Sequence, residues 1–598
     1  IGLRDTERQE RKTSVTMYDW EGNVSYTPTT LLNSFMKLYQ TESMTMMHTL
    51  QGNYRFSLGN HNFGLTVGAT AQKDDNALNF MSRSNMASDE LDHINTGDIT
   101  TAVNGGSHTN SDGNRFNSGS STVGLLSFLG RFNYDYDGIY LFEALARRDG
   151  SSRLHPDFRW KNFYGASAGI RISEMGFLQD GFFDNLKLRG SYGETGSVVG
   201  IGAYDYISNI SFGSTIFGAP PSLANTAAIA GITTTDRTWE RVSTINAAID
   251  FGILDNRLSG TAEYFIRENN DMLVNITYPV VLGANAPKTN SGDFTTKGWE
   301  VSLNWQDQVG ELNYNIGVMA WDSRSEVTRM EGATAIQRGL NPASGDNANI
   351  IEGKPLNAIY TYVTDGILST EEEVMSYYNQ YGFEAGDQNT MKSGTVLPQY
   401  NSPNRLVPGT VRRVDVNEDG IINEDDLVYF GDANPHYSFG IRLEAQWKGF
   451  DFSAFFQGVA QQNILREGGL AFPFSRWWMN QNSAFLGETW TEDNQDTPWP
   501  AIFYNGQRKN WNYGHPNDIN VVKASYMRAK VLSLGYSLPQ SILSRVGVER
   551  TRFSVTANDL FVISNVKDGM DPEQTTSAHQ GDTVPYTSTL IFGLEITF

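Results

Sequence analysis

The segment from Asp415 to Asp426 carries the clearest chemical pattern in the chain and is typical of a calcium-binding loop. Oxygen-bearing side chains fall at its first, third, fifth, ninth and twelfth positions, and the seventh position offers its backbone carbonyl. Gly420 stands at the sixth position, where such loops turn sharply. The twelfth position is Asp rather than the usual Glu, and its shorter side chain reaches less far toward an ion. The alternative interpretation of the segment is a solvated acidic turn that binds no metal. The pattern predicts one structural Ca²⁺ held by Asp415, Asn417, Asp419, the Ile421 carbonyl, Asn423 and Asp426.

No other segment has the residues and context of a catalytic site. Residues 165–169 match the hydrolase pattern G-x-S-x-G, but they continue a strand-like alternation, whereas that motif needs a strand-to-helix turn. The glycine-rich run 193–202 lacks the Gly-Lys-Ser/Thr of a phosphate-binding loop. The eight histidines show no metal-binding spacing. We therefore predict that the chain is not an enzyme.

Aromatic residues crowd the long insert 463–520. Aromatic side chains on a loop often contact a sugar or a protein, but they also pack a loop against itself or against its scaffold. The sequence leaves both interpretations open. The candidate partner- or cargo-binding residues are Trp477, Trp478, Trp490, Trp499, Trp511 and Tyr513.

The elements that must position these residues are β-strands, because apolar and polar residues alternate along much of the chain. The run from Tyr437 to Trp447 alternates in this way, Lys448-Gly449 makes a tight turn, and the pattern resumes at Phe450. Residues 128–136 and 140–147 form a second hairpin of this kind. We find about fifteen such runs, most of them near the 9–11 residues of a tilted membrane-crossing strand. Aromatic residues often close the runs, as at a membrane interface.

Short turns alternate with long polar inserts, an asymmetry typical of outer-membrane barrels, whose longer loops face the outside. The long inserts are 76–121, 214–237, 332–435 and 463–520. We therefore predict an all-β fold in which residues 1–598 are part of a transmembrane antiparallel β-barrel with long extracellular loops. Of these loops, 332–435 carries the calcium-type loop and 463–520 the tryptophans. A soluble β-sandwich or β-solenoid is the alternative on pattern alone.

Composition limits the possible partners. Lys and Arg total 45 and Asp and Glu total 67, a net charge of −22 that disfavours nucleic acid as a partner. The absence of cysteine excludes disulfides and thiol chemistry within this sequence. No run approaches the roughly 18 apolar residues of a transmembrane helix. The first residues, Ile-Gly-Leu-Arg, form no signal peptide and lack Met, so we expect a processed or incomplete chain.

Several segments resemble the SusC/RagA-type TonB-dependent transporters of Bacteroidetes outer membranes. The resemblance runs in family order from about Tyr54 to the terminal Phe598. The matching segments are 130–136 (GRFNYDY), 148–153 (RDGSSR), 186–196 (LKLRGSYGETG), 298–300 (GWE), 365–368 (DGIL), 408–409 (PG) followed by the acidic loop, 525–528 (SYMR) and 591–598 (IFGLEITF).

This resemblance implies a function that the residue patterns alone do not give. Transporters of this family have barrels of about 22 strands filled by an N-terminal plug. A SusD-like surface lipoprotein forms a lid, TonB with ExbB and ExbD pulls on the plug, and the cargo is an oligosaccharide or, in some members, a peptide. The resemblance therefore implies the C-terminal barrel portion of an importer set in outer-membrane lipid.

The plug and the first strands of the family have no match in this sequence, and we expect them as another chain or an unassigned region. Since about fifteen strands fall short of the family's number, and an open edge in lipid costs several kcal/mol per unpaired group, we expect further strands to complete the barrel. Two other interpretations remain open. One is a passive or structural barrel that scaffolds surface lipoproteins, and the other is a secreted calcium-dependent carbohydrate-binding protein.

Overall fold

A computed structural model describes most of the chain. The residues that it describes are 2–12, 17–18, 21–26, 35–84, 103–104, 108–109, 115–116, 119–176, 181–208, 210–218, 221–229, 231–275, 288–331, 352–356, 358–466, 471–473, 482–504, 506–514, 517–544, 547–574 and 586–598.

One antiparallel sheet of 18 strands makes up the body of the molecule. Two of its members, Val103–Asn104 and Val562–Ser564, are short ladders at the ends of longer strands. The others are β1 Gly2–Lys12, β2 Phe35–Leu58, β3 His61–Ser84, β4 Gly119–Tyr136, β5 Tyr140–Ser151, β6 Trp160–Arg171, β7 Phe183–Ser197, β8 Glu240–Ile253, β9 Leu258–Asn275, β10 Lys288–Val309, β11 Leu312–Met330, β12 His436–Trp447, β13 Phe450–Gln461, β14 Tyr526–Ser537, β15 Arg550–Asn558 and β16 Thr589–Thr597.

Each of these strands pairs with the next one along the chain, so the sheet is an up-and-down meander. The turns at one end are short, and the long connections all lie at the other end. Within the described residues, β1 pairs with β2 alone and β16 with β15 alone, so these two strands are the edges of the sheet. This wall is the predicted all-β antiparallel architecture, and both predicted hairpins are confirmed.

The alternation along each strand sorts side chains onto two faces, because directly opposed residues of an antiparallel pair share a face. Between β11 and β12, Ile316 opposes Leu443 and Val318 opposes Ile441 on an apolar face. On the other face Asn315 opposes Glu444. An apolar outer face and a polar inner face are what a wall between lipid and a water-filled lumen requires.

Several strands are longer than the sequence predicted. The strands β2 and β3 have 24 residues each, and the insert predicted from residue 76 begins only after Ser84. The expected limit of 9–11 residues applies to the part of a strand inside lipid. Antiparallel pairing also satisfies the backbone in water, so the polar ends of these strands continue as sheet beyond the membrane.

Small elements fill the long connections. Helix α1, Glu371–Tyr381, begins after Thr370, whose hydroxyl accepts the Glu373 N–H at 3.2 Å. The described helix Gly506–Lys509 is a single turn, and so is Gln540–Leu543, which lies at the other end of the wall between β14 and β15. No described helix is long and apolar enough to cross a membrane. The described small ladders are Met17–Tyr18 with Val24–Tyr26, His108–Thr109 with Arg115–Phe116, Ile210–Phe217 with Ser222–Ile229, Ala358–Tyr362 with Leu427–Asp432, Thr364–Ile367 with Val411–Arg413, Phe383–Glu384 with Asp387–Met391, and Asn463–Leu465 with Val521–Lys523.

Candidate functional site

Two long connections at the loop end pack into one unit, which we call the cap: the described residues of 358–432 and of 482–520. Their apolar side chains share one core, to which the second connection contributes Trp511 and Ile519. The two inserts that the sequence presented as separate loops are therefore packed against each other. The buried core residues are Tyr362, Leu368, Val374, Tyr377, Tyr378, Phe383, Leu397, Leu406, Val411, Ile422 and Trp511.

A buried arginine joins the two halves of the cap. The Arg413 side chain is only 1% exposed, and its guanidinium lies 4.0 Å from the Tyr362 ring centre and 3.9 Å from that of Trp511. It donates to the Asn517 Oδ1 and to the Trp511 carbonyl, each at 3.0 Å. Burial lowers the pKa of Arg413 to about 10. Aromatic faces and carbonyl dipoles thus stabilise this cation in place of a carboxylate.

Three of the six predicted aromatic contact residues are buried within the cap. The exposed fractions of Trp490, Trp511 and Tyr513 are 7%, 3% and 3%, and the Tyr513 hydroxyl donates to the Pro500 carbonyl at 2.6 Å. Trp499 is partly buried. Trp477 and Trp478 lie outside the described residues. Trp490, Trp511 and Tyr513 are thus buried in this conformation, because folding of the cap needs their large apolar surface, and a contact role for the aromatic residues of this insert stays a prediction.

Among the described residues outside the barrel wall, a hairpin in the insert 214–237 and the residues before it carries an uncovered apolar surface. The strands Ile210–Phe217 and Ser222–Ile229 pair with each other. Phe212 is 84% exposed, and Ile216, Leu223 and Ile229 are 70–74% exposed. Large apolar side chains grouped in this way usually mark an interaction surface. One signal in the sequence could have found it: residues 206–235 contain no charged residue, in a chain whose net charge is −22.

The acidic loop lies within the cap, and its side chains hold its own backbone. Asp415 Oδ2 accepts the Gly420 N–H at 2.8 Å, and Asp419 Oδ1 accepts the Ile421 N–H at 3.0 Å. Asp426 accepts from two backbone N–H groups, those of Val416 at 2.8 Å and Asn423 at 2.9 Å. Gly420 has the left-handed φ of 82° that the sharp turn requires. The sequence pattern thus folds as a closed loop.

Two features of this loop suit a cation. Asp415 Oδ1 is buried and has no hydrogen-bond partner, and Asp426 is fully buried. Burial raises the pKa of Asp426, and the negative charge of Asp415 raises it further. Among the residues that the structure describes, no three acidic or histidine side chains converge as a ready-made metal group. The side chains of Asp415, Asn417, Asp419, Asn423 and Asp426 instead accept hydrogen bonds from backbone N–H groups of the loop, to which the Ile421 carbonyl also belongs.

A histidine fastens the end of the first insert to the barrel wall. His436 is buried, with Nδ1 2.7 Å from Asp322 Oδ1 of β11 and Nε2 3.2 Å from Asp432 Oδ1 of the insert. A neutral imidazole has one N–H, and a carboxylate only accepts, so both contacts are favourable only when both ring nitrogens carry protons. His436 thus bridges one carboxylate of the wall and one of the insert.

The inner wall carries charged networks around a cleft of about 670 Å³ near the short turns. Arg189, which lines it, lies 2.8 Å from Glu263 Oε2 and 3.2 Å from Asp250 Oδ2. Arg55 and Arg131 line the same cleft. Such a surface suits polar contents rather than lipid.

Comparison with known proteins places this architecture. No family model matches the chain. The TonB-dependent receptor P26 of Formosa agariphila is 25% identical over 583 residues, which is 95% of this chain and 54% of that protein. The TonB-dependent receptor SusC of Bacteroides thetaiotaomicron is 26% identical over 500 residues, 79% of this chain and 44% of SusC. The chain is a relative of the SusC/RagA-type TonB-dependent receptors.

Solved structures agree at the level of the fold. The structure of the RagAB peptide transporter superimposes with a TM-score of 0.72 at 21% identity, covering all of this chain and 59% of that one. The RagAB peptide importer in its open-open state gives a TM-score of 0.73 at 20% identity and covers 58% of that chain. The predicted outer-membrane β-barrel is confirmed, and these relatives are receptors and transporters rather than enzymes. The chain spans about half the length of the curated relatives that it matches.

Proposed function

We propose that the chain forms most of the barrel of an importer that takes up oligosaccharides or peptides across the outer membrane. The observation that carries the proposal is the two-faced meander. Its outer face is apolar, its inner face is polar and charged, and the long connections gather at one end. A wall of this kind can enclose a path for polar cargo. Energy would come from TonB with ExbB and ExbD acting on a plug, as in the family that the chain resembles.

The edges of the sheet support a larger barrel. The residues of β16 lie almost entirely exposed, as do those of β2 below its pairing with β1. Unpaired backbone groups in lipid cost several kcal/mol each, so further strands of the complete protein would pair with these edges.

We further propose that a SusD-like surface lipoprotein docks on the apolar hairpin at 210–229. A partner that binds this hairpin must cover an uncharged, apolar β-surface at the loop end. Such a surface suits the apolar core of a protein interface. The RagAB structures support the choice, since the related fold there belongs to a two-component transporter. Tyr504, whose side chain is fully exposed on the cap, is a second candidate contact.

We also propose that the acidic loop binds one Ca²⁺ as a structural ion. Asp415 Oδ1 supplies a buried acceptor that has no hydrogen-bond partner. Asp426 supplies a carboxylate, and its burial disfavours the charged form of that group. A cation would convert the repulsion between these carboxylates into attraction. The ion would hold the cap in shape and would take no part in chemistry.

Uptake in cells tests the import proposal. Cells that carry the full-length protein should accumulate a labelled oligosaccharide or peptide from a defined panel, and loss of TonB should abolish that accumulation. The alternative, a passive or structural barrel, predicts uptake or lipoprotein display that is indifferent to TonB.

The double variant Phe212→Ser/Ile216→Ser tests the lid: it should release the lipoprotein during purification, whereas Thr215→Ser on the opposite face of the hairpin should not.

A further inference from the structure

Two cations face each other on the outer side of the barrel wall. Lys297 of β10 and Arg324 of β11 are directly opposed in the strand register. Opposed residues on one face have Cβ atoms about 5 Å apart, and like charges there destabilise the pair. The same face carries the opposed apolar residues Val301 and Ala320 two rows further toward the short turns. The cation pair therefore faces outward, where a membrane protein meets lipid.

Its height on the wall is that of lipid headgroups. The outward residues of β11 from Leu312 to Ala320 are apolar, a span close to that of a tilted membrane strand. Trp299 and Tyr264 oppose each other one row below the cations. Aromatic residues of this kind mark the boundary between hydrocarbon and headgroups. Lys297 and Arg324 stand directly above that boundary.

The protein neutralises the two cations only in part. Arg324 Nε lies 3.5 Å from Asp322 Oδ2, and that carboxylate is shared with His436. Arg324 also donates to the Tyr437 hydroxyl at 3.0 Å, yet its side chain remains 62% exposed. Within the described part of the chain, Lys297 has neither an ion pair nor a side-chain hydrogen bond.

The two cations line a groove of about 390 Å³. Thr295 adds a hydroxyl group to the lining, and Trp299 adds an aromatic face. Glu326 lies one row further toward the loops, so it does not separate Lys297 from Arg324. An anion held between the two cations would convert their repulsion into two attractive contacts.

We propose that Lys297 and Arg324 bind the phosphate of an outer-leaflet lipid whose acyl chains lie along the apolar band below. Basic groups directly outside the hydrocarbon region recognise anionic headgroups, at about 1 kcal/mol for each Lys or Arg. A guanidinium offers a fork of donors to phosphate oxygens and an ammonium adds a point charge. The site would bind lipid to the wall beside β12, close to where the first insert rejoins the barrel. It rests on the barrel fold and is independent of the cargo and of the lid.

Lipid binding to the purified full-length protein, stripped of lipid in a non-ionic detergent, tests this site by native mass spectrometry. The probes are phosphatidic acid, diacylglycerol with the same acyl chains, and inorganic phosphate. We expect phosphatidic acid to bind about thirty-fold more tightly than diacylglycerol, from two charge contacts. Lys297→Gln/Arg324→Gln should abolish that preference. Because the substitutions remove a repulsive pair, they should not impair folding, which a thermal melt in detergent checks.

A matched control is Lys448→Gln, since Lys448 lies at the opposite end of the wall and pairs with Glu311 at 3.2 Å. The control should keep the full preference for phosphatidic acid. Equal binding of diacylglycerol to the unchanged protein would overturn the proposal, as would a preference that survives in the double variant. Inorganic phosphate binding as tightly as phosphatidic acid would overturn the lipid as the source of the phosphate.

Discussion

Replacing Arg413 with Ala should unlock the two halves of the cap. The change removes two desolvated cation–π contacts, which are worth about 2 kcal/mol each. It also leaves the Asn517 Oδ1 without its donor, at about 1–3 kcal/mol for a buried acceptor, whereas the Trp511 carbonyl keeps the Asn517 Nδ2 as a donor. Release of a buried charge offsets part of this loss, so we expect a net cost of about 3–5 kcal/mol.

Hydrogen exchange of helix α1 in the full-length protein measures this cost, because α1 packs on the same core as Trp511. A loss of about 4 kcal/mol in local stability corresponds to exchange faster by about 10³-fold. The neighbouring Arg412 is a matched control. Its side chain is 41% exposed and pairs with Asp365 at 3.2 Å, so Arg412→Ala should cost less than about 1 kcal/mol. Equal exchange in the two variants would refute the joining role of Arg413.

The remaining predictions concern the acidic loop, His436 at the end of the first insert, and the wall. Burial raises the pKa of Asp426 above its unfolded value, so the calcium-free loop should become more stable as pH falls. With Ca²⁺ bound, acid should instead destabilise the loop, because protons compete with the ion for the carboxylates. Thermal melts across pH, with and without a chelator, measure the sign of this dependence. His436→Gln should lose about 3 kcal/mol of local stability, seen as faster exchange at the end of the insert, and unchanged exchange would contradict the fastening role. Gly298→Ala should destabilise the wall by about 1–3 kcal/mol in thermal melts, since a Cβ there would lie 2.5 Å from the Phe265 ring. Gly130→Ala, with nothing within 4 Å, is its control and should have little effect.

The wall was predictable from sequence because the alternation of apolar and polar residues within each strand shows which side chains lie on each face. The hairpin at 437–461 could be placed from alternation and one Lys-Gly turn, and its register agrees. The lengths of β2 and β3 were not predictable, because alternation does not say where lipid ends and water begins. The acidic loop could be located by spacing, and what its oxygens bind stays a prediction.

The cap was not predictable, because its core joins residues about 100 positions apart in sequence, as in the 2.9 Å hydrogen bond from Trp511 Nε1 to the Val411 carbonyl. The positions of the tryptophans along the chain do not say which of them such contacts bury. The opposed pair Lys297 and Arg324 could be found only from the strand register, since neither residue stands out in its own strand.

The most direct test of the wall is accessibility of single cysteines, which the 598 residues allow because they contain none of their own. Cysteines placed one at a time from Ile316 to Met319 of β11 would be treated, in intact outer membranes, with a water-soluble maleimide. We expect labelling at Gly317 and Met319, which face the lumen, and protection at Ile316 and Val318, which face lipid. Uniform labelling at all four positions, or the opposite alternation, would contradict a membrane-spanning barrel wall with this register.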